Sequence, residues 1–246
     1  MKIENKEFWE ISNVIEVQDR NKDAAKFELF MFEKAKELYI SKGTINTIKI
    51  FGCGTGREIN HIANFYEPTT IIASDISVNM IEKCRENLKE WNIDNITETN
   101  VMDAKDYNKV ENKFDLVTIL NSMLTYVPES KARAQIFNNA YKILKTNGVI
   151  IGTVHNQEGT FFKTMFFKIR NIFSFYYGDK VGNRVTGYNG YKVQGYYYTK
   201  NELMKNIQMA SFRNIEIYSL EEYNQLKNIK YNRKKGYNNL IFIAQK

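Results

Sequence analysis

The feature that most limits what this chain can fold into is Gly52-Cys53-Gly54-Thr55-Gly56, set between a short β-type run at residues 47–51 and a helical stretch reaching Tyr66. Glycines at such a junction permit a tight turn and bring a ligand against the free amides of a helix start. A dinucleotide fingerprint would need one more glycine, and Arg57 stands there instead. The alternation continues downstream. Residues 70–74 read as a strand. Residues 77–91 read as a helix with Ser77 at its N-cap and Met80, Ile81, Cys84, Leu88 and Trp91 on one face. Residues 96–101 form a weaker strand, 114–120 a buried strand, 129–144 a helix ended by Thr146-Asn147-Gly148, and 149–154 a further strand. Strand and helix alternating over short connections predict βαβ units in a doubly wound, mostly parallel sheet.

Around this core the pattern changes. Residues 19–42 predict one amphipathic helix ended by Lys42-Gly43. After His155 the periodicity lapses for about forty residues and resumes at Thr199-Lys200-Asn201-Glu202, a capping box opening a helix to Ala210. Strand-like runs at 215–218 and 240–244 have no crossover helix between them, so they predict an antiparallel hairpin at one edge of the sheet. The expected organisation is a helical cap at 1–44, a ligand-binding core at 45–155, an insertion at 156–198 and the rest of the core at 199–246.

Composition sets outer limits. The 246 residues are 43% hydrophobic and 26% charged, a globular balance. No stretch approaches 18 uninterrupted apolar residues, and the charged start lacks the apolar core of a signal peptide. Cys53 and Cys84 are read as reduced thiols, and cytoplasmic localisation is expected. Two histidines and two isolated cysteines give no metal-ligand spacing, so no metal is expected.

The loop and the segments downstream of it resemble those of class I S-adenosylmethionine-dependent methyltransferases of the small-molecule type. Phe51-Gly52-Cys53-Gly54-Thr55-Gly56 is similar to the family's glycine-rich loop around the methionine part of the cofactor. Asp75, followed by Ile76 and, further on, Met80, matches the acidic residue that takes both ribose hydroxyls. A carboxylate suits that task because its two oxygens accept two donors at once. Asp103 matches the residue facing the adenine amino group, with Met102 and Ala104 beside the ring. Phe114-Asp115-Leu116-Val117 resembles the family's fourth strand, with Asn121 where it opens onto the cofactor. Leu144-Lys145-Thr146-Asn147-Gly148 resembles the turn before strand five, and Tyr198-Thr199-Lys200-Asn201-Glu202-Leu203 with Ala210-Ser211-Phe212 resembles the family's closing motif. The resemblance spans roughly residues 45–154 and 196–219. It implies a Rossmann-like, seven-stranded sheet, S-adenosyl-L-methionine as cofactor and S-adenosyl-L-homocysteine as product. One position departs: the family usually carries Asp or Glu two residues before the first glycine, where it helps hold the cofactor's amino end, and this chain has Ile50.

Several residues outside the loop are candidates for the site. His155, at the end of strand five, is placed to act as a general base for a hydroxyl, or to be a hydrogen-bonded loop histidine. Trp9 could cap the cofactor pocket and Arg20 meet its carboxylate, or both could simply dock the first helix. Tyr126 follows strand four, where it would shape an acceptor pocket or pack. The insertion is dense in aromatics interleaved with Lys163, Lys168, Arg170, Lys180, Arg184 and Lys192. It reads as a substrate lid in which Tyr177, Tyr188 and Arg184 would meet the acceptor. A dimer contact, nucleic acid binding and membrane docking are weaker readings of it. Residues 156–246 carry a balance of +9 and residues 1–155 one of −2, so the net +7 lies in the C-terminal third. From this a small anionic or phosphorylated acceptor is expected, such as a nucleotide-linked sugar or glycan intermediate, with O-methylation slightly preferred over N-methylation. No membrane partner is expected, nucleic acid is a minor option and a homodimer is left open. The competing functions are an RNA cap guanine-N7 methyltransferase and, motivated by Ile50, a non-catalytic S-adenosylmethionine-binding or scaffold protein.

Overall fold

A computed structural model describes residues 4–39, 43–107, 111–188, 190–235 and 238–246, apart from a few side chains within those spans. Seven strands form one sheet: β1 (Thr47–Phe51), β2 (Thr70–Asp75), β3 (Thr97–Val101), β4 (Phe114–Ile119), β5 (Leu144–His155), β8 (Arg213–Ser219) and β9 (Asn239–Gln245). Their order is β3-β2-β1-β4-β5-β9-β8. β1 to β5 run parallel, and β9 is antiparallel to both β5 and β8. The doubly wound sheet with its antiparallel edge is therefore as expected. A separate hairpin pairs β6 (Asn183–Tyr188) with β7 (Tyr191–Tyr196).

The central strands are apolar because helices cover both faces of the sheet: all six residues of β4 and all seven of β9 are buried. One layer of core packs α3 (Lys26–Tyr39), α4 (Arg57–Tyr66) and α5 (Val78–Glu90) through Met31, Ile59, Ile62, Ile81 and Leu88. The other packs α6 (Ser130–Ile143) and α9 (Lys200–Met209) through Ile136, Phe137, Leu203 and Ile207. At Gly152 strand and layer meet so closely that a Cβ would lie 2.4 Å from Phe242 Cζ and 2.7 Å from the Ile119 carbonyl oxygen. Caps define the helix starts: Ser77 Oγ accepts from Met80 N at 3.0 Å and Thr199 Oγ1 from Glu202 N at 3.1 Å.

Three expectations are corrected. The helix expected over 19–42 is two elements, α2 (Ser12–Arg20) and α3, and the expected end at 40–42 lies outside the described residues. The break at 21–25 is held largely by residues distant in sequence: the Asp19 carboxylate turns to Asn87 as well as to Lys22, and the Asp23 carbonyl accepts from Arg57. The Glu28 carboxylate accepts from Ala25 N and so marks the start of α3. The turn expected at 146–148 lies inside β5, where Leu144 pairs with Phe114 and Val149 with Leu116, leaving the residues between as a bulge with Asn147 at φ 64°. The quiet stretch after His155 holds real elements, α7 (Phe161–Ile172), α8 (Ser174–Tyr177) and the β6–β7 hairpin, and α10 (Leu220–Leu226) stands between β8 and β9.

Candidate cofactor site

The chain reverses its direction of winding between β1 and β4, and a crevice opens there at the carboxyl ends of the strands. It holds a cavity of about 930 Å³, large enough for a cofactor together with a small molecule. The glycine loop forms one wall. Gly52, Gly54 and Gly56 all have positive φ, at 71°, 52° and 93°. Gly56 also lies against Cys84, whose Sγ would be 2.9 Å from an added Cβ. The turn thus needs glycine for its backbone and for its contact with α5.

Asp75 ends β2 and lines the cavity. Its two carboxylate oxygens are fixed by backbone donors: Gly54 N–H gives to Oδ2 at 2.9 Å and Ser77 N–H to Oδ1 at 3.0 Å. Burial raises its carboxyl above the usual carboxylate value, against those hydrogen bonds, which favour the ionised form. Ile76, Met80, Met102, Asp103 and Ala104 line the same side. Lys105 pairs with Asp103 at 2.9 Å.

The opposite wall comes from α1 (Asn5–Trp9) and from the turn after β4. Trp9, Asn121, Met123, Tyr126 and Gln194 line it. The Trp9 and Tyr126 rings meet edge to face at 5.1 Å. The N-terminal segment is tied across the opening. Asn5 donates to the carbonyls of Tyr126 and Gln194, the Trp9 carbonyl accepts from Ser77 Oγ at 3.0 Å, and the Glu10 carboxylate accepts from Val78 N and Asn79 N.

Other sequence candidates stand apart from the cavity. Phe51 and Cys53 are buried beneath the loop, and the Cys53 thiol is pushed up by its hydrogen bond with Cys84 and by burial. Arg20 is exposed and faces Glu16 at 3.7 Å. His155 lies behind Tyr126, with ring centroids 5.8 Å apart, and its Nδ1 is buried without a hydrogen-bond partner. Burial, aided by the Lys163 cation, lowers its pKa to about 4. Tyr177 carries Arg170 over its ring at 4.1 Å, and Arg184 lies over Phe166 and Tyr197. Tyr188 pairs with Tyr191 in the hairpin, but its side chain falls outside what the structure describes. Among the described residues of the basic third, Gln194 is the one that lines the cavity.

Sequence reasoning passed over Glu58. It sits in the first turn of α4, 1% exposed, with Oε1 buried and unpartnered. Asn121 Nδ2 is 3.4 Å from Oε2, and the same amide accepts from Arg57, which forks onto Glu28. Burial, with help from neighbouring Glu28 and Asp75, pushes the Glu58 carboxyl up to about 8. The signal was present: Glu58 shares the buried stripe of α4 with Ile59, Ile62 and Ala63, where an acidic residue has no packing reason to be.

Residues 50–148 match the family model of a methyltransferase domain, which covers the loop, both carboxylates and the turn after β4. Over these residues the chain is similar to a methyltransferase domain. The match makes methyl transfer, with S-adenosylmethionine as the cofactor the sequence resemblance implies, the activity to be tested. Solved structures of methyltransferases share the fold. A protein from Methanosarcina mazei described as an S-adenosylmethionine-dependent methyltransferase superposes with a TM-score of 0.61 at 18% identity, over 82% of this chain and 92% of its own. The 1,6-didemethyltoxoflavin-N1-methyltransferase of Burkholderia thailandensis, with that acceptor and S-adenosylhomocysteine bound, gives 0.64 at 15%, over 98% and 86%. Phosphoethanolamine N-methyltransferase 2 of Haemonchus contortus gives 0.56 at 17%, over 87% and 52%. A search of curated proteins finds no match.

The cavity fits the cofactor. It combines a loop without side chains at Gly52 and Gly54 with a doubly held carboxylate at Asp75, and behind its lining residue Asn121 lies Glu58, whose Oε1 lacks a partner.

Proposed function

We propose that this chain is a methyltransferase acting on a nitrogen of a small acceptor. The observation that carries this reading is the composition of the acceptor wall. Away from the adenosine side, its charged residues are Glu4, Lys6 and Glu129, and its rings are Trp9 and Tyr126. Such a wall favours a neutral or amine-bearing molecule over a phosphorylated one. The expectation of an anionic acceptor rested on the basic third of the chain, and among the described residues none of its cations lines the cavity. The preference for a hydroxyl rested on His155, which is separated from the cavity by Tyr126. An unprotonated amine needs little help from a base, because its lone pair is already free.

When bound, the cofactor supplies a methyl group on a sulfonium whose positive charge vanishes in an in-line displacement. The residues of this chain would then act mainly by alignment and by keeping the cavity dry. Asp75 would take the ribose hydroxyls on the lone pairs left free by its two backbone donors. Met102 and Ala104 would flank the adenine, with Asp103 toward its amino group. Glu58 and Asn121 would hold the ammonium in place of the acidic side chain that Ile50 lacks. Trp9 and Tyr126 would present the acceptor.

The test has two parts. Calorimetry with S-adenosylmethionine and S-adenosylhomocysteine should show one site for each, and absence of both would defeat the cofactor assignment. A panel of small amines and their hydroxyl counterparts, followed by release of S-adenosylhomocysteine, should give turnover with amines. Turnover with hydroxyl or phosphorylated acceptors alone would overturn the nitrogen reading.

A further inference from the structure

The helices α7 and α8 after β5 do not contribute to the cavity, and the two faces of α7 differ. Inward, Phe167 is buried against Tyr197 with ring centroids 5.3 Å apart. Outward, Phe162, Met165, Phe166, Ile169, Ile172 and Phe173 recur at spacings of three and four, and every one is exposed. Phe162 is 83% exposed and Ile172 72%, and in α8 Phe175 reaches 85%. Scattered exposed apolar residues are ordinary, but a continuous stripe of large ones marks a contact.

The surroundings of this stripe are cationic. Lys168 and Lys180 are exposed beside it, and residues 156–198 hold six Lys and Arg against Glu158 and Asp179. The cleft beside α7 is balanced, with Lys168, Lys200 and Arg233 facing Glu158, Glu221 and Glu222. The cationic flank of the stripe is therefore that of Lys168 and Lys180, and Lys227, Lys230 and Lys234 are exposed on the segment after α10. The occupant must therefore accept large apolar side chains and bring negative charge. A second copy of a chain with net charge +7 brings the wrong sign. A bilayer with anionic headgroups supplies both: acyl boundary for the rings and negative surface for the lysines.

We propose that the exposed apolar face of α7 and α8, with its lysine flanks, docks the protein on an anionic lipid surface. The sequence alone predicts no membrane partner because the chain has no spanning segment, and among the described residues no helix is long and apolar enough to cross one. An amphipathic helix lying in the interface needs neither. The proposal is independent of which acceptor the cavity takes.

Flotation of the full chain with vesicles of phosphatidylcholine, alone or with one third phosphatidylglycerol, tests it. Binding is expected to the anionic vesicles only, and to weaken at least tenfold between 50 and 500 mM salt. Phe162→Glu combined with Ile172→Glu should lower the bound fraction at least tenfold, with Tm and the Kd for S-adenosylmethionine unchanged. Lys168→Glu with Lys180→Glu should do the same without touching an apolar residue. Failure to bind anionic vesicles, or undiminished binding by both double variants, overturns the proposal. So does a concentration-dependent dimer that the first double variant abolishes, since that assigns the face to a second copy.

Discussion

At the scale of single residues, the site turns on two carboxyl groups in different surroundings. Asp75 is held by donors and ready to accept more, so Asp75→Asn should weaken S-adenosylmethionine binding by roughly ten- to a hundredfold, the cost of losing a charged acceptor. Calorimetry reads this directly. Glu58 is protonated near neutrality because burial disfavours its charge. An ammonium arriving beside it would reverse that balance and expel the proton. Binding at pH 7 measured in buffers of different ionisation enthalpy should therefore show proton release, and Glu58→Gln should abolish the release and weaken binding at least tenfold. A release that survives the substitution would place the ammonium elsewhere. Two buried groups with opposite shifts also leave opposite marks on stability. The Glu58 carboxyl is raised from 4.5 to about 8, so its stabilising contribution is complete below pH 4.5 and lost as pH rises through 8. The His155 imidazole is lowered from 6.5 to about 4, so its contribution is present above 6.5 and lost as pH falls through 4. Thermal melts from pH 4 to 9 should show Glu58→Gln gaining on the native chain toward high pH, and His155→Gln gaining on it toward low pH.

At the scale of elements, two joints hold the core to the site. The Arg57–Glu28 pair ties the start of α4 to the start of α3 at 2.6 Å, both side chains buried. Arg57→Met would strand the Glu28 charge and should cost about 3–5 kcal/mol, read as a fall in the denaturation midpoint. Gly152→Ala drives a methyl into Phe242 and the Ile119 carbonyl and should cost about 1–3 kcal/mol through forced repacking. The elements that sequence made legible were those with strong periodicity and local signals. Ser77 marks the start of α5, apolar runs mark β4 and β9, and glycines mark the loop. What stayed hidden depended on contacts distant in sequence. The break between α2 and α3 is stabilised by Arg57 and Asn87, more than thirty residues away. The bulge in β5 exists because of its register with β4. Trp9 and Tyr126 could be guessed at the cavity from their flanking positions, whereas the retreat of His155 behind Tyr126 is set by how the hairpin and α7 pack around it. Glu58 was readable in principle, as a charge on an apolar stripe.

At the scale of the whole molecule, charge and chemistry lie in different places. Divided in sequence, the chain puts its excess of cations where an acceptor would be expected to enter. In three dimensions Lys168 and Lys180 of that excess flank an aromatic face on α7 and α8 that takes no part in the cavity, and others, such as Arg213 and Lys246, bond to the core. The cavity, in turn, is built by pieces of unequal standing. Its floor is made of strand ends within the two large apolar layers. Its roof, the segment from Asn5 to Gln18, rests on a small separate cluster of Phe8, Val14, Met80 and Val193 and on caps to α5. A segment anchored so lightly can open while the sheet stays intact. Amide hydrogen exchange should therefore separate into two regimes: β4 and β9 exchanging only through global unfolding, and α1 and α2 through a much cheaper local opening. Adding S-adenosylmethionine should slow the second regime far more than the first. The same ties that close the cavity would then set how quickly spent product leaves it.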